Sequence, residues 1–339
     1  MNDIINLAAP NWSPADSYGR LACELASRLV VSGVHVNRMG DASDVYIKPA
    51  MGGILMGWPT NFKGYGWWMQ AGVKIAITMW ESTQLPPEWA AILNTFDAVI
   101  LPARFLVDVF RDNGVTAPLY VIPLGVSDEF QYTRRPVDRS PVRLLTIADR
   151  GYRKGSHEVA YAFQRAFGDS KHVQLTMKAR RFPIRITNPN IEVLESDMTN
   201  TQMAMLYAQC DAMFFAGREG FGLPPREFAA TGAPAFALDW GGTTDDLGLW
   251  GYPLTSTMES AWSDNAALRG LGEWGKADVD DMATQMTDFV DHRQRYLEEA
   301  HDKALYASAR YSWKQFTDSV CAVWQHVKEV SRGTHRITA

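Results

Sequence analysis

Two α/β domains in tandem, each built on a parallel sheet, are what this sequence predicts. Three observations carry that expectation. Short β-rich apolar runs alternate with segments of helical period, the pattern of strands wrapped by crossover helices. The series closes by about residue 123 and a second opens at residue 143. The 339 residues exceed one ordinary core and suit two domains of ~150–170 residues each.

Taken in order, residues 4–8 read as a strand and 17–32 as a helix whose Leu21, Leu25 and Leu29 form one stripe, with Gly33 in place to end it. Residues 34–37, 45–47, 74–78, 98–101 and 119–122 read as strands, and 88–94 and 104–111 as the helices between the later ones. Residues 51–70 interleave glycines with Trp58, Phe62, Tyr65, Trp67 and Trp68, and read as a long loop over buried aromatics or as a platform for a ring. The first domain is placed at 1–130. Residues 131–140 are polar, carry Pro136 and lack any period, so they are read as the linker.

The second domain, 141–310, repeats the scheme: strand 143–148, helix 156–167, strands 173–177 and 191–194, helix 202–209, and strands 212–215 and 235–238. Helices fill 278–328, the last of them (311–330) is assigned to the first domain, and 331–339 reads as a frayed tail. Two such halves in tandem predict a cleft at the carboxyl ends of their strands, where ligands bind.

Composition narrows the function. Hydrophobic residues make up 46% of the chain, which excludes disorder for its bulk. Thirty-three Lys and Arg against 38 Asp and Glu give a net charge of −5, the wrong sign for a chain whose main work is gripping phosphate backbones. Cys23, Cys210 and Cys321 are widely spaced and lack a C-x-x-C pair, which fits reduced thiols. The first residues, Met-Asn-Asp, lack the basic start of a signal peptide, and no apolar run approaches ~20 residues, so a cytoplasmic protein without an integral membrane segment is expected.

The chemistry concentrates in residues 219–234, Glu-Gly-Phe-Gly-Leu-Pro-Pro-Arg-Glu-Phe-Ala-Ala-Thr-Gly-Ala-Pro. A strand, a glycine turn and a helix with prolines in its first turn make a cradle for a phosphate-bearing ligand. Glu219 and Glu227 flank that cradle. Carboxylates repel phosphate but accept hydrogen bonds from sugar hydroxyls, so the pattern suits a nucleoside diphosphate sugar.

This segment resembles the E-x7-E motif of retaining, family-4-type glycosyltransferases of the two-domain GT-B fold. Asp239-Trp240-Gly241-Gly242-Thr243-Thr244-Asp245 is similar to their Gly-Gly loop, Ser17-Tyr18-Gly19-Arg20 to their first glycine loop, and Tyr311-Ser312-Trp313 to the start of a final helix that crosses back onto the first domain. The resemblance implies that Glu219 contacts the transferred sugar, Gly220, Phe221, Gly222 and Leu223 contact sugar or diphosphate, and Glu227 binds the ribose. Gly19 would approach the donor, or simply form a tight turn. The family's G-R-x4-K-G pattern, whose cations neutralise the leaving diphosphate, is matched by Lys154-Gly155. Strict register places Asp149 where the family has Arg, so Arg150, one step later, takes that role. Where many members have a His, this chain has Trp80-Glu81-Ser82, so either backbone supplies that contact or Glu81 touches the acceptor.

The implied activity is transfer of a sugar from a UDP- or GDP-linked donor to an acceptor hydroxyl with retention, without metal or other cofactor. The acceptor stays open among a small molecule, a glycan, a protein and a modified DNA base. A catalytically inactive GT-B scaffold, or a sugar-nucleotide hydrolase or epimerase of the same fold, is the alternative. Lys178, Arg180, Arg181 and Arg185, with Arg134, Arg135 and Arg139, read as a basic rim or a solvated face.

Overall fold

The computed structural model describes residues 4–13, 17–39, 52–65, 72–148, 151–180, 186–262 and 269–337, with the side chains of 39, 63–65, 151 and 332–337 excepted. The chain divides into two compact units. One holds Met1–Trp80, Leu85–Gly125 and Trp313–Ala339; the other holds Glu81–Gln84 and Val126–Ser312.

The first unit is built from β1 (Ile4–Ala8), α1 (Ser17–Val31), β2 (His35–Met39), β3 (Gly52–Met56), β4 (Val73–Ile77), α2 (Trp89–Leu93), β5 (Ala98–Leu101), α3 (Phe105–Asp112) and β6 (Leu119–Val121). Its sheet is six-stranded in the order β2-β1-β3-β4-β5-β6 and every described pairing is parallel. Helix α1 buries Leu21, Leu25 and Leu29 and ends where the Gly33 and Val34 amides donate to Val30 and Leu29 carbonyls, with Gly33 at φ 81°.

The expected loop at 51–70 contains a central strand instead. β3 runs Gly-Gly-Ile-Leu-Met between β1 and β4, and a Cβ on Gly52 would lie 2.0 Å from the Val73 carbonyl oxygen, so glycine is needed there for close approach. A 3₁₀ segment, Pro59–Tyr65, follows. Trp58 packs edge-on to Trp80 at 5.5 Å, and Trp80 to Trp89 at 4.8 Å, so these rings form core rather than an open platform. The strand expected at 45–47, like Tyr65 side-chain packing and Trp67 and Trp68, falls outside the described residues.

The second unit comprises β7 (Val142–Ile147), α4 (Ser156–Phe167), β8 (Val173–Ala179), β9 (Ile191–Glu195), α5 (Asn200–Ala208), β10 (Ala212–Phe215), α6 (Leu223–Ala230), β11 (Ala235–Leu238), α7 (Leu247–Trp250), β12 (Tyr252–Leu254), β13 (Ser256–Ser260), β14 (Glu273–Ala277), α8 (Val279–Asp291) and α9 (Arg293–Arg310). A second six-stranded sheet has the order β12-β11-β10-β7-β8-β9, with all described pairings parallel. Its core gathers Leu144, Phe163, Leu175, Phe214, Phe236 and Met286. β13 and β14 add an antiparallel pair that sequence patterning did not show, because β13 is largely exposed and neither strand carries an apolar alternation.

The last helix, α10 (Trp313–Ile337), packs on α1 and β4 of the first unit, and its backbone stays helical through Ile337, so residues 331–337 are not frayed. Among the described residues no helix is long and apolar enough to cross a membrane.

Residues 131–140, read from sequence as the linker, fall within the second unit and are clamped rather than loose. Buried Arg135 donates to the carbonyls of Tyr207 and Cys210 and to Thr231 Oγ1 at 2.7 Å, and Arg139 pairs with Asp211 at 3.2 Å. Lys178 is also buried, donating to the Ala179 and Ser196 carbonyls. Of the residues read as a basic rim or a solvated face, Arg135 and Lys178 therefore form neither, being buried in the second unit, and Arg139 is half-buried against Asp211. Arg134 is exposed, and Arg181 and Arg185 fall outside the described residues.

Candidate functional site

Strand β10 is four apolar residues buried on both faces, and it delivers the chain into the turn Gly217 to Gly222. Gly222 adopts φ 84°, a left-handed conformation that a side chain would strain, and so reverses the chain into α6, which carries prolines in its first turn. A second turn, the 3₁₀ segment Gly151–Lys154, leaves β7 and reaches Gly155, also left-handed at φ 65°. A Cβ on Gly155 would lie 2.3 Å from the Ala216 carbonyl oxygen, so glycine lets the two turns touch. Reciprocal backbone support follows, with the Arg218 amide donating to the Arg153 carbonyl at 2.9 Å.

The charged side chains of these turns converge. Lys154 Nζ donates to Glu219 Oε1 at 2.5 Å, and Arg153 Nη1 lies 3.3 Å from Glu219 Oε2 and 3.6 Å from Glu81 Oε1. The same guanidinium donates to the Arg218 carbonyl at 2.6 Å. Glu81 reaches this cluster because the segment Glu81–Gln84 is pinned to the antiparallel pair. Ser82 Oγ donates to the Leu271 carbonyl at 2.8 Å and the Thr83 amide to the Glu273 carbonyl at 3.0 Å.

Burial is the largest influence on the Glu219 carboxyl and acts upward, but Arg153 and Lys154 together outweigh it and hold the group below its ordinary value of 4.5. A depressed native carboxyl gives stability that is present above the ordinary range and disappears as pH falls through the native value. The expected result is that the Tm gap between wild type and Glu219→Gln narrows as pH drops below 4.5. Thermal unfolding across a pH series checks this, and a gap that stays constant contradicts it.

A third loop, the 3₁₀ turn Gly241–Thr243 after β11, closes on the first. The Gly242 amide donates to the Glu219 carbonyl at 2.8 Å, with the Gly242 Cα packed against the backbone of Gly220. Glu227 sits in the interior of α6, buried at 3% exposure. Among the described residues no group of three or more His, Cys, Asp or Glu side chains is arranged to hold a metal ion.

No family model matches the chain, and no curated protein sequence matches it. Solved structures resemble it along nearly its whole length. Sucrose-phosphate synthase from Thermosynechococcus elongatus matches at 13% identity and a TM-score of 0.73, covering 97% of this chain and 100% of that one. Anabaena HepE in complex with UDP and glucose matches at 13% identity and 0.69, covering 96% and 100%. The trehalose 6-phosphate synthase of Burkholderia multivorans matches at 13% identity and 0.63, covering 94% and 76%.

The fold is GT-B. Within this GT-B chain the residues singled out from sequence have these places. Glu219, Lys154 and Glu81 meet around Arg153, and Gly220, Phe221, Gly222, Leu223 and Glu227 run on from Glu219 through the turn and α6. Gly19 belongs to the other unit and lies in the first turn of α1 rather than in a loop. A Cβ there would meet the Ser13 carbonyl oxygen at 2.3 Å, so its small size serves packing of the preceding segment. Arg150 and Asp149 fall outside the described residues.

Three arginines of this GT-B site had not been singled out. Arg153 stands beside Lys154 and could have been found from the adjacent cations. Arg218 is fully buried, donating to the Gly275 carbonyl at 2.8 Å and to Glu158 Oε1 at 2.8 Å, with its guanidinium 5.5 Å from the Trp274 ring. Arg226 is equally buried. An arginine between Pro225 and Glu227, in a stretch otherwise apolar from Gly220 to Ala230, was the available signal for Arg226.

Proposed function

We propose that this chain is a glycosyltransferase that moves a sugar from a nucleoside diphosphate donor to an acceptor hydroxyl with retention of configuration. The observation that carries the proposal is the cluster of Glu219, Lys154 and Arg153 at the glycine turn between β10 and α6. The fold likeness supports it, since HepE holds UDP and glucose on the same fold. Donor binding is assigned to the second domain and acceptor binding to the first.

Breaking the bond between the anomeric carbon and the donor phosphate oxygen builds negative charge on the diphosphate. Fixed cations aimed at that charge stabilise it more in the transition state than before. Lys154 and Arg153 are such cations, held in place by the carboxylates of Glu219 and Glu81, and we assign them, rather than a metal, to the leaving group. Glu219 accepts hydrogen bonds from the transferred sugar and Glu227 from the ribose. The acceptor oxygen bonds to the anomeric carbon on the face the phosphate leaves, and its proton passes to a phosphate oxygen.

The test is a thermal-shift panel of UDP, GDP, ADP and dTDP with their sugar conjugates, with and without magnesium, on wild type and Glu227→Ala. A ligand at ~100 times its dissociation constant stabilises the fold by ~2.7 kcal/mol. One nucleotide class is expected to shift wild type without magnesium and to lose its effect on Glu227→Ala. No shift at millimolar concentration would overturn the donor assignment.

A further inference from the structure

Arg226 is a buried cation held by backbone carbonyls and the Tyr311 side chain, with the Asp245 and Asp246 carboxylates acting favourably on its charge. Its guanidinium lies 4.2 Å from the Phe221 ring centroid, 4.6 Å from Trp250 and 4.8 Å from Tyr311. Its two terminal nitrogens donate to the Gly242 carbonyl at 2.8 Å, the Gly222 carbonyl at 3.2 Å, the Asp245 carbonyl at 3.4 Å and the Phe221 carbonyl. Trp250 Nε1 and the Tyr311 hydroxyl donate to the same Asp245 carbonyl, at 2.9 Å and 3.1 Å, which fixes the box around the guanidinium.

Burying a guanidinium is costly, and here the cost is offset by three aromatic faces and by carbonyls that an apolar side chain would leave without a donor. What the cation does is capture carbonyls from two loops, 219–222 and 241–245, and in a trans peptide the following N–H points the opposite way. Holding the Phe221 and Gly222 carbonyls thus turns the Gly222 and Leu223 amides away from Arg226, at the entry to α6. Consecutive amides aimed outward in this manner form a concavity that suits an anion.

We propose that Arg226 is a positioning residue: by gripping the Phe221, Gly222 and Gly242 carbonyls it presets the Gly222 and Leu223 amides as donors to the diphosphate of a nucleotide-linked ligand. The inference rests on the donor assignment above. It predicts a selective effect, in which the diphosphate part of the ligand loses affinity while the nucleoside part does not.

The experiment uses the full chain as wild type, Arg226→Met and Arg226→Lys, each checked for folding by circular dichroism. NMR titration gives the affinity for the nucleoside diphosphate that shifts wild type most and for the corresponding free nucleoside. Arg226→Met is expected to weaken the diphosphate at least tenfold and the nucleoside less than twofold. Arg226→Lys, which keeps the charge but not the fork, falls between. Equal losses for both ligands, or an unchanged diphosphate affinity in folded protein, overturn the inference while leaving the donor assignment standing. Wild type that binds no nucleoside diphosphate overturns both. If Arg226→Met does not fold, the ratio measured on Arg226→Lys decides in the same way.

Discussion

Lys154→Ala is expected to lower kcat on the order of 10²–10³-fold, the scale seen when a preorganised charge-stabilising donor is removed from a catalytic site. The ammonium is mostly buried and sits 2.5 Å from Glu219 Oε1, so water reaches it poorly and its charge acts at short range. Its removal also leaves the Glu219 carboxylate with Arg153 as its remaining described cation, at 3.3 Å, so the carboxyl titrates upward toward its ordinary value. Donor affinity should fall less than turnover, because the leaving phosphate gains charge only as the bond breaks. Steady-state kinetics with the donor class found in the nucleotide panel gives both quantities. Unchanged kcat would remove Lys154 from the catalytic machinery, and a variant that still held partner proteins while wild type showed no turnover would favour an inactive scaffold.

The two sheets could be read from sequence because their strands are short apolar runs buried on both faces. Ala98–Leu101, Ala212–Phe215 and Ala235–Leu238 coincide with their expected bounds for that reason. β3 escaped because the glycine that permits close approach to Val73 is the same residue type that marks a loop. Only the backbone of the neighbouring strand distinguishes the two cases, and that neighbour lies 21 residues away in the chain, from Gly52 to Val73.

The site divides along a similar line. Glu219, Lys154, the glycine turn and Glu227 were legible because their chemistry lies in residue type and spacing. Arg135, Arg218 and Arg226 were not, since backbone carbonyls hold them, joined at Arg218 by the Glu158 and Glu259 carboxylates, and a carbonyl leaves no mark on residue identity. Arginine clusters in a sequence therefore divide into solvated faces and buried clamps only once the backbone is known. Here Arg135 and Lys178 are buried clamps and belong to no basic surface.

Gly242→Ala should damage both the fold and the proposed donor site, through contact rather than backbone strain. A Cβ at this position would lie 2.3 Å from the carbonyl carbon and oxygen of Gly220 and 2.4 Å from the Phe221 nitrogen. Backbone on a tight turn cannot swing aside as a flexible side chain can, so the two loops must separate. Overpacking of this kind costs about 1–3 kcal/mol, and each kcal/mol lowers Tm by about 2–4 °C in a domain of 150–250 residues. Separation breaks the Gly242 amide's bond to the Glu219 carbonyl and pulls the Gly242 carbonyl off Arg226. The nucleotide-induced thermal shift is therefore expected to shrink beyond what the lower Tm explains. Gly248→Ala is the matched control, because a Cβ there meets nothing within 4 Å, and it should leave Tm and ligand response near wild type. A Gly242→Ala protein with wild-type Tm and full nucleotide response would mean that the loop contact is dispensable, and Arg226 would then have no second loop to hold.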